Sequence, residues 1–348
     1  MINVDNHKLM YHPERVAQWK EKGDCYPIYV EIGPTNICNN NCVFCALDWV
    51  KRGKDFIDKE TMISALKDMA KQGVKSVMFA GEGEPFLHKD ICLFIQKARQ
   101  YWMDVSVTTN GVLFTKEKIV KTMQYLSWIR FSVDAGTAKT HSEIHQTNKE
   151  DFNKIISNIK EAVKFKKKFK LKTVIGVQFL LIPQNLKEVK KFVKLFKQIG
   201  VNNVQIKHYS QHPNSINKFV IKYKDYAPLG KELKKSNSKN FQVFFREQTI
   251  RRLRNTPYPY CYGLPFFALI DAKGNVLPCN LFYNNEEFTY GNLNKNSFSQ
   301  IWEGKKRKEV LNKLKKRGCA KCREGCRLDV INRYLHRIKN PEEHDNFI

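Results

Sequence analysis

Asn36-Ile37-Cys38-Asn39-Asn40-Asn41-Cys42-Val43-Phe44-Cys45 follows directly on the short apolar run Ile28 to Ile32, and these two stretches together decide how the chain is read. A run of that length rich in β-branched residues reads as a buried strand, which puts three thiols on the loop just past its end. Working outward, five further runs of the same kind recur: Ser76 to Ala80, Val105 to Thr109, Ile129 to Val133, Thr173 to Leu181 and Asn203 to Lys207. Segments of helical periodicity separate them. The first is bracketed by Asp58 as a start cap and Gly73 as a stop, with Met62, Leu66, Met69 and Ala70 on one face. Strands alternating with helices imply parallel pairing. Six such units make an α/β fold, an open or partial (β/α)6 TIM-like barrel over about residues 27–210. In such folds chemistry sits beyond the carboxyl ends of the strands, where the cysteine loop falls.

The remainder divides by pattern. Residues 1–26 form a polar N-terminal extension without a signal-peptide apolar stretch, and no apolar run approaches the length that spans a bilayer. The expected location is the cytoplasm, with no membrane partner. Residues 211–255 lose the strand and helix alternation in a polar, Lys-rich stretch and read as a linker. Within 256–348, Phe266 to Ile270, a turn through Gly274, and Val276 to Leu277 read as a hairpin. The formal charge of +27 would suggest nucleic acid on a small domain, but the excess is Lys spread over helix faces such as Lys164 to Lys172, without an interleaved aromatic stripe. A nucleic-acid partner is not expected.

Ten cysteines in a reducing compartment do not form disulfides, so spacing assigns them. Cys38, Cys42 and Cys45 form one group. Cys261, Cys279, Cys319, Cys322 and Cys326 form another. Cys25 and Cys92 stand alone and read as packing residues. Three thiolates on one loop suit a four-iron cluster that lacks a fourth protein ligand, leaving one iron open to a cofactor; a zinc site would recruit a fourth ligand nearby.

A Cys-x3-Cys-x2-Cys spacing after the first strand resembles the radical S-adenosylmethionine superfamily. The resemblance implies that the open iron binds the methionine part of S-adenosyl-L-methionine, and that reductive cleavage gives a 5′-deoxyadenosyl radical which abstracts hydrogen from a substrate carbon. It also implies cofactor contacts. Phe44 would pack by the adenine. Gly83 and Glu84, in Ala80-Gly81-Glu82-Gly83-Glu84-Pro85, would receive the ammonium, with Glu82 the other occupant of that role. Thr109 and Asn110 would line the site, Ser132 and Asp134 would meet the ribose hydroxyls, and Gln178 and Ile182 would supply a polar contact and a further adenine-packing residue. Lys207 and His208, following the sixth strand, read as a surface Lys and an ordinary partnered His, or as substrate contacts over the barrel mouth. His141 and His145, four apart on a helix, read as a structural or substrate-side pair.

The second cysteine group resembles the C-terminal SPASM/twitch iron–sulfur domain. Full SPASM domains use seven cysteines for two clusters; five here imply one auxiliary cluster, so that the chain would carry two 4Fe-4S clusters. The spacing resembles the twitch domain of 2-deoxy-scyllo-inosamine dehydrogenase, which favours Cys261, Cys279, Cys319 and Cys322 as ligands. Cys326 would then be either a catalytic thiol that returns a hydrogen atom or itself a ligand. The expected activity is that of a radical oxidoreductase or epimerase, dehydrogenating or epimerising a small polar molecule such as a carbohydrate or aminocyclitol, with a flavodoxin- or ferredoxin-like electron donor. The alternatives are a peptide- or protein-modifying maturase and an RNA-modifying iron–sulfur protein.

Overall fold

The computed structural model describes residues 7–50, 52–219, 226–246, 256–323 and 325–347. The six expected strands form as β1 (Tyr29–Ile32), β2 (Ser76–Phe79), β3 (Asp104–Thr109), β4 (Trp128–Ser132), β5 (Val174–Leu181) and β6 (Asn203–His208), each paired in parallel with the next. Helices close the crossovers: α2 (Lys59–Lys71) and α3 (Ile91–Gln100) flank β2, α4 (Lys116–Thr122) precedes β4, α5 (Ala138–His145) and α6 (Lys149–Lys168) precede β5, and α7 (Val189–Ile199) precedes β6. The Asp58 carboxylate caps α2 by accepting from the Thr61 amide at 2.9 Å, and Gly73 ends that turn with φ of 77°.

Two features go beyond the six expected units. A seventh parallel strand, β7 (Gln242–Phe245), pairs with β6 inside the stretch read as a linker. It is four residues long and follows a Lys-rich segment, too short a pattern to stand out from its surroundings. More consequential is β8 (Phe267–Ile270), which pairs in parallel with β1, Tyr29 opposite Phe267 through Ile32 opposite Ile270. β9 (Asn275–Leu277) turns back antiparallel to β8, as the hairpin reading expected, and β10 (Gly291–Asn292) pairs with β9. Among the described residues the strands form one sheet in the order β10-β9-β8-β1-β2-β3-β4-β5-β6-β7.

Alternation along the strands sorts side chains to two sides. Val30, Ile32, Val77, Phe79, Val105, Val107, Ile129, Phe131, Ile175 and Val177 are buried in the main core with the helices. The intervening residues, among them Glu31, Ser106, Arg130, Gln178, Gln205 and Lys207, line the lumen. The N-terminal extension contributes α1 (Pro13–Lys22), whose Trp19 packs in a second cluster with Tyr258, Tyr262, Phe266 and Leu335. Fully buried Arg307 ties the same region together: it pairs with both Asp24 oxygens at 2.7 Å and stacks 3.8 Å from the Trp302 ring.

Candidate functional site

The loop after β1 is held from several sides before any cysteine is considered. Asn36 Nδ2 donates to Asp55 Oδ2 at 2.7 Å, Arg52 Nη1 to the Asn40 carbonyl at 2.6 Å, and Asn110 Nδ2 to Asn39 Oδ1 at 2.7 Å. Gly83 lets the β2 loop lie against it, because a Cβ there would stand 2.3 Å from the Ile37 carbonyl oxygen and 2.4 Å from that of Thr35. The Glu84 amide completes the contact by donating to the Ile37 carbonyl at 2.8 Å.

Cys38, Cys42 and Cys45 then line one side of a cavity of about 440 Å³. Phe44, Gly83, Glu84, Thr109, Asn110, Ser132 and Gln178 line it too, so most of the residues expected at the cofactor converge. At four of the expected residues the structure shows further contacts within the protein. The Glu84 carboxylate is occupied: one oxygen accepts from Thr109 Oγ1 at 2.7 Å and the Phe86 amide at 3.1 Å, the other from the Asn110 amide at 2.7 Å. Burial pushes this carboxyl up, against those three hydrogen bonds. Gln178 Oε1 accepts from Lys207 Nζ at 2.5 Å. Ile182 lies outside the cavity lining, packed with Phe44, Ala135, Ile144 and Tyr209. Asp134 is fully buried beyond the lining, in the left-handed region at φ 58°, with Oδ1 accepting from the Leu180 amide at 2.6 Å. Burial raises its carboxyl to about 7. Chain reversal at the ends of β4 and β5 turns Asp134 toward β5, which spacing could not reveal.

Glu82 also points elsewhere. It accepts from the Ala272 amide at 2.7 Å, bracing the β2 loop against the β8–β9 turn, and burial raises it to about 7. His141 and His145 stack at 4.3 Å between ring centroids, both buried. His145 Nε2 donates to the Val133 carbonyl at 3.0 Å, which leaves Nδ1 facing Cys42 Sγ at 3.1 Å. The pair is thus a buried prop behind Cys42.

The five C-terminal cysteines all line a second cavity of about 560 Å³, and Cys279 and Cys326 line both. Asn332 orients Cys261: its Oδ1 accepts from the Gly263 amide at 2.7 Å while Nδ2 reaches Cys261 Sγ at 3.4 Å. Burial raises the Cys42, Cys279 and Cys326 thiols, and raises Cys261 to about 12, so bare thiolates are disfavoured here and ligation by a cation would offset the cost. Cys322 alone is lowered, to about 7, by the Cys319 thiol hydrogen bond and the Arg317 charge. Among the described residues no three His, Cys, Asp or Glu side chains close on a single ion; the cysteines line the two cavities. Cys25 and Cys92 line neither cavity.

Sequence reading missed the cations. Arg130, Arg246, Arg323 and Arg327 join Lys207 on the cavity walls. The spacing of Arg323 and Arg327, each one residue beyond a cysteine, was a legible signal for two of them.

A parallel α/β lumen with three loop cysteines at its mouth, closed by a cysteine-rich module, defines the class. The radical SAM superfamily model matches residues 32–196 and the iron–sulfur cluster-binding domain model, SPASM, residues 261–327. The chain carries a radical SAM superfamily domain followed by a SPASM-type iron–sulfur cluster-binding domain. It is 30% identical over 152 residues to the GTP 3′,8-cyclase of Aliarcobacter butzleri, covering 42% of this chain and 46% of that protein. The chain spans less than half the length of the curated relatives it matches. In fold it is similar to Streptococcus suis SuiB bound to precursor peptide SuiA, with TM-score 0.68 and 17% identity over 87% of this chain and 71% of that one. It is also similar to anSMEcpe with bound AdoMet, with TM-score 0.58 and 20% identity over 90% and 91%. Among the described residues no helix is long and apolar enough to cross a membrane.

Proposed function

We propose that the enzyme abstracts a hydrogen atom from a C–H bond of a substrate held between two 4Fe-4S clusters, one at Cys38, Cys42 and Cys45, the other within the C-terminal cysteine group. The carrying observation is the shared cavity, lined both by the N-terminal trio and by Cys279 and Cys326. When bound, the first cluster supplies the electron that cleaves S-adenosylmethionine, delivered by a flavodoxin- or ferredoxin-like donor. The chain's residues do the rest. Phe44 and Ser132 border the cofactor's space, Gly83 permits the close loop approach, and Glu84 fixes the ends of β2 and β3 together rather than waiting open for a ligand.

The finer reading is oxidation or epimerisation of a small polar molecule. A lumen whose two cavities measure about 440 and 520 Å³ is in the range of small-molecule sites. A polar wall of Gln205, Ser106, Lys207 and Arg130 supports it. Cys326 lines the shared cavity, which supports the reading that it returns a hydrogen atom to a substrate radical. A peptide substrate is the second reading, favoured by the fold likeness to SuiB, which was crystallised with a precursor peptide.

Anaerobic reconstitution tests the core of this. Replacing Cys38, Cys42 and Cys45 together by Ala should remove close to half of the bound iron and all reductive formation of 5′-deoxyadenosine. Cleavage that persists in the triple variant would overturn the assignment.

A further inference from the structure

The interior of a β/α barrel is ordinarily filled by branched apolar side chains. This one is not. Arg130 on β4 and Lys207 on β6 project into the same lumen, joined by Arg246 past β7 and by Arg327 before the C-terminal helix, and all four line the 520 Å³ cavity below the cofactor level. Lys207, Arg246 and Arg327 also line the upper cavity, so the two volumes share a cationic wall.

Among the described residues, neither Arg130 nor Lys207 has a carboxylate in a direct ion pair. Glu31 pairs with Arg327. Asp134 lies outside both linings with Oδ1 on the Leu180 amide, and its charge reaches Lys207 without forming a direct ion pair. Asp104, at the lower cavity, is engaged by Arg99 at 3.1 Å. The Arg130 guanidinium lies over the Trp128 ring at 4.7 Å, and Lys207 donates to the neutral Gln178. Burial pushes Lys207 well down, aided by repulsion from Arg130, Arg246 and Arg327 and opposed by Asp134. Arg130 is likewise lowered, to about 10. Cluster charge does not account for Arg130 or Lys207 either. The cationic neighbours felt by the cysteines are Arg52 at the first site and Arg323, Arg327 and Arg317 at the second.

Resting on the reading that the substrate occupies this lumen, we propose that the substrate carries a phosphate or carboxylate group, and that Arg130 and Lys207 anchor that oxyanion below the reacting carbon. A guanidinium presents paired donors to two oxygens of such a group, and an ammonium beside it adds charge without demanding a second planar fork. The anchor would set the height of the substrate, leaving the carbon to be attacked in the upper cavity between the cysteine groups.

The test needs neither reductant nor turnover, so its failure is separate from failure of the radical chemistry. Reconstituted protein is titrated calorimetrically with pyrophosphate and, in a second arm, glutarate, at 0.15 M salt so that surface lysines are screened. At least one probe is expected to bind, and the preferred arm tells phosphate from carboxylate. Arg130→Gln and Lys207→Gln are each expected to weaken that probe by about tenfold or more, the loss of one charge-assisted hydrogen bond. Arg130→Lys, which keeps the charge, should lose less than Arg130→Gln and guards against misfolding of the latter. Lys164→Gln with Lys168→Gln, two exposed charges on α6, should change nothing. Binding of neither probe, or equal binding by the wild type and both lumen variants, would overturn the proposal.

Discussion

Replacing Glu84 by Gln separates a structural brace from a ligand. The carboxylate is 3% exposed and accepts three hydrogen bonds, two of 2.7 Å from Thr109 and Asn110 and one of 3.1 Å from Phe86. Gln preserves the shape but turns one acceptor into a donor. Whichever way the amide lies, its NH2 confronts a backbone N–H, that of Asn110 or that of Phe86. One buried donor left unpaired costs about 1–3 kcal/mol, and the remaining bonds lose their charge assistance at about 1 kcal/mol. Relief of a buried charge offsets part of this, so the net loss should be about 1–3 kcal/mol. Urea unfolding of the metal-free protein, followed by tryptophan fluorescence, reads it as a lower midpoint at unchanged slope. Affinity for S-adenosylmethionine should fall as well, because the ends of β2 and β3 are no longer tied. An unchanged urea midpoint with weakened cofactor binding would refute this reasoning and return Glu84 to the role of a free anion for the cofactor's ammonium.

Two more predictions follow from the same geometry. Glu82 has its carboxyl raised from 4.5 to about 7, so its contribution to stability is fully present below pH 4.5 and is lost as pH rises through 7. Glu82→Gln keeps an acceptor for the Ala272 amide, and at pH 8 should be more stable than the wild type by about 3 kcal/mol relative to their difference at pH 4; parallel stability–pH curves for the two proteins would contradict it. Cys326→Ala should keep the auxiliary iron while turnover stalls after hydrogen abstraction, measured as iron content and as 5′-deoxyadenosine formed without product; loss of that iron would make Cys326 a ligand instead.

Much of the core could be read in advance because its signals are local. Strands announced by β-branched runs, a cap at Asp58 and three cysteines within eight residues need no tertiary information. What stayed hidden depends on closure. Arg130, Lys207 and Arg246 lie on three different strands or their ends, separated by dozens of residues, and only the curvature of the sheet brings them face to face. The hydrogen bonds that Glu84, Glu82 and Asp134 make within the protein were hidden for the same reason: each bonds across to the end of a neighbouring strand or turn. β7 was missed for want of length, and β8 was seen as a strand but not as a neighbour of β1.

The pairing of β8 with β1 bears on how the protein is made. As the chain leaves the ribosome, Tyr29–Ile32 emerges early, yet its second partner is more than two hundred residues behind it. Through most of synthesis β1 is an open edge of a parallel sheet, with unpaired amides beside an unfilled cluster loop. Such edges recruit other chains, and pairing at long sequence separation is slow. Completion of the sheet is therefore a late event that seals the edge and brings the second cysteine group to the first in the same step. A nascent chain stalled before residue 267 would be the aggregation-prone species, and yield of intact enzyme should depend on how quickly translation passes that point.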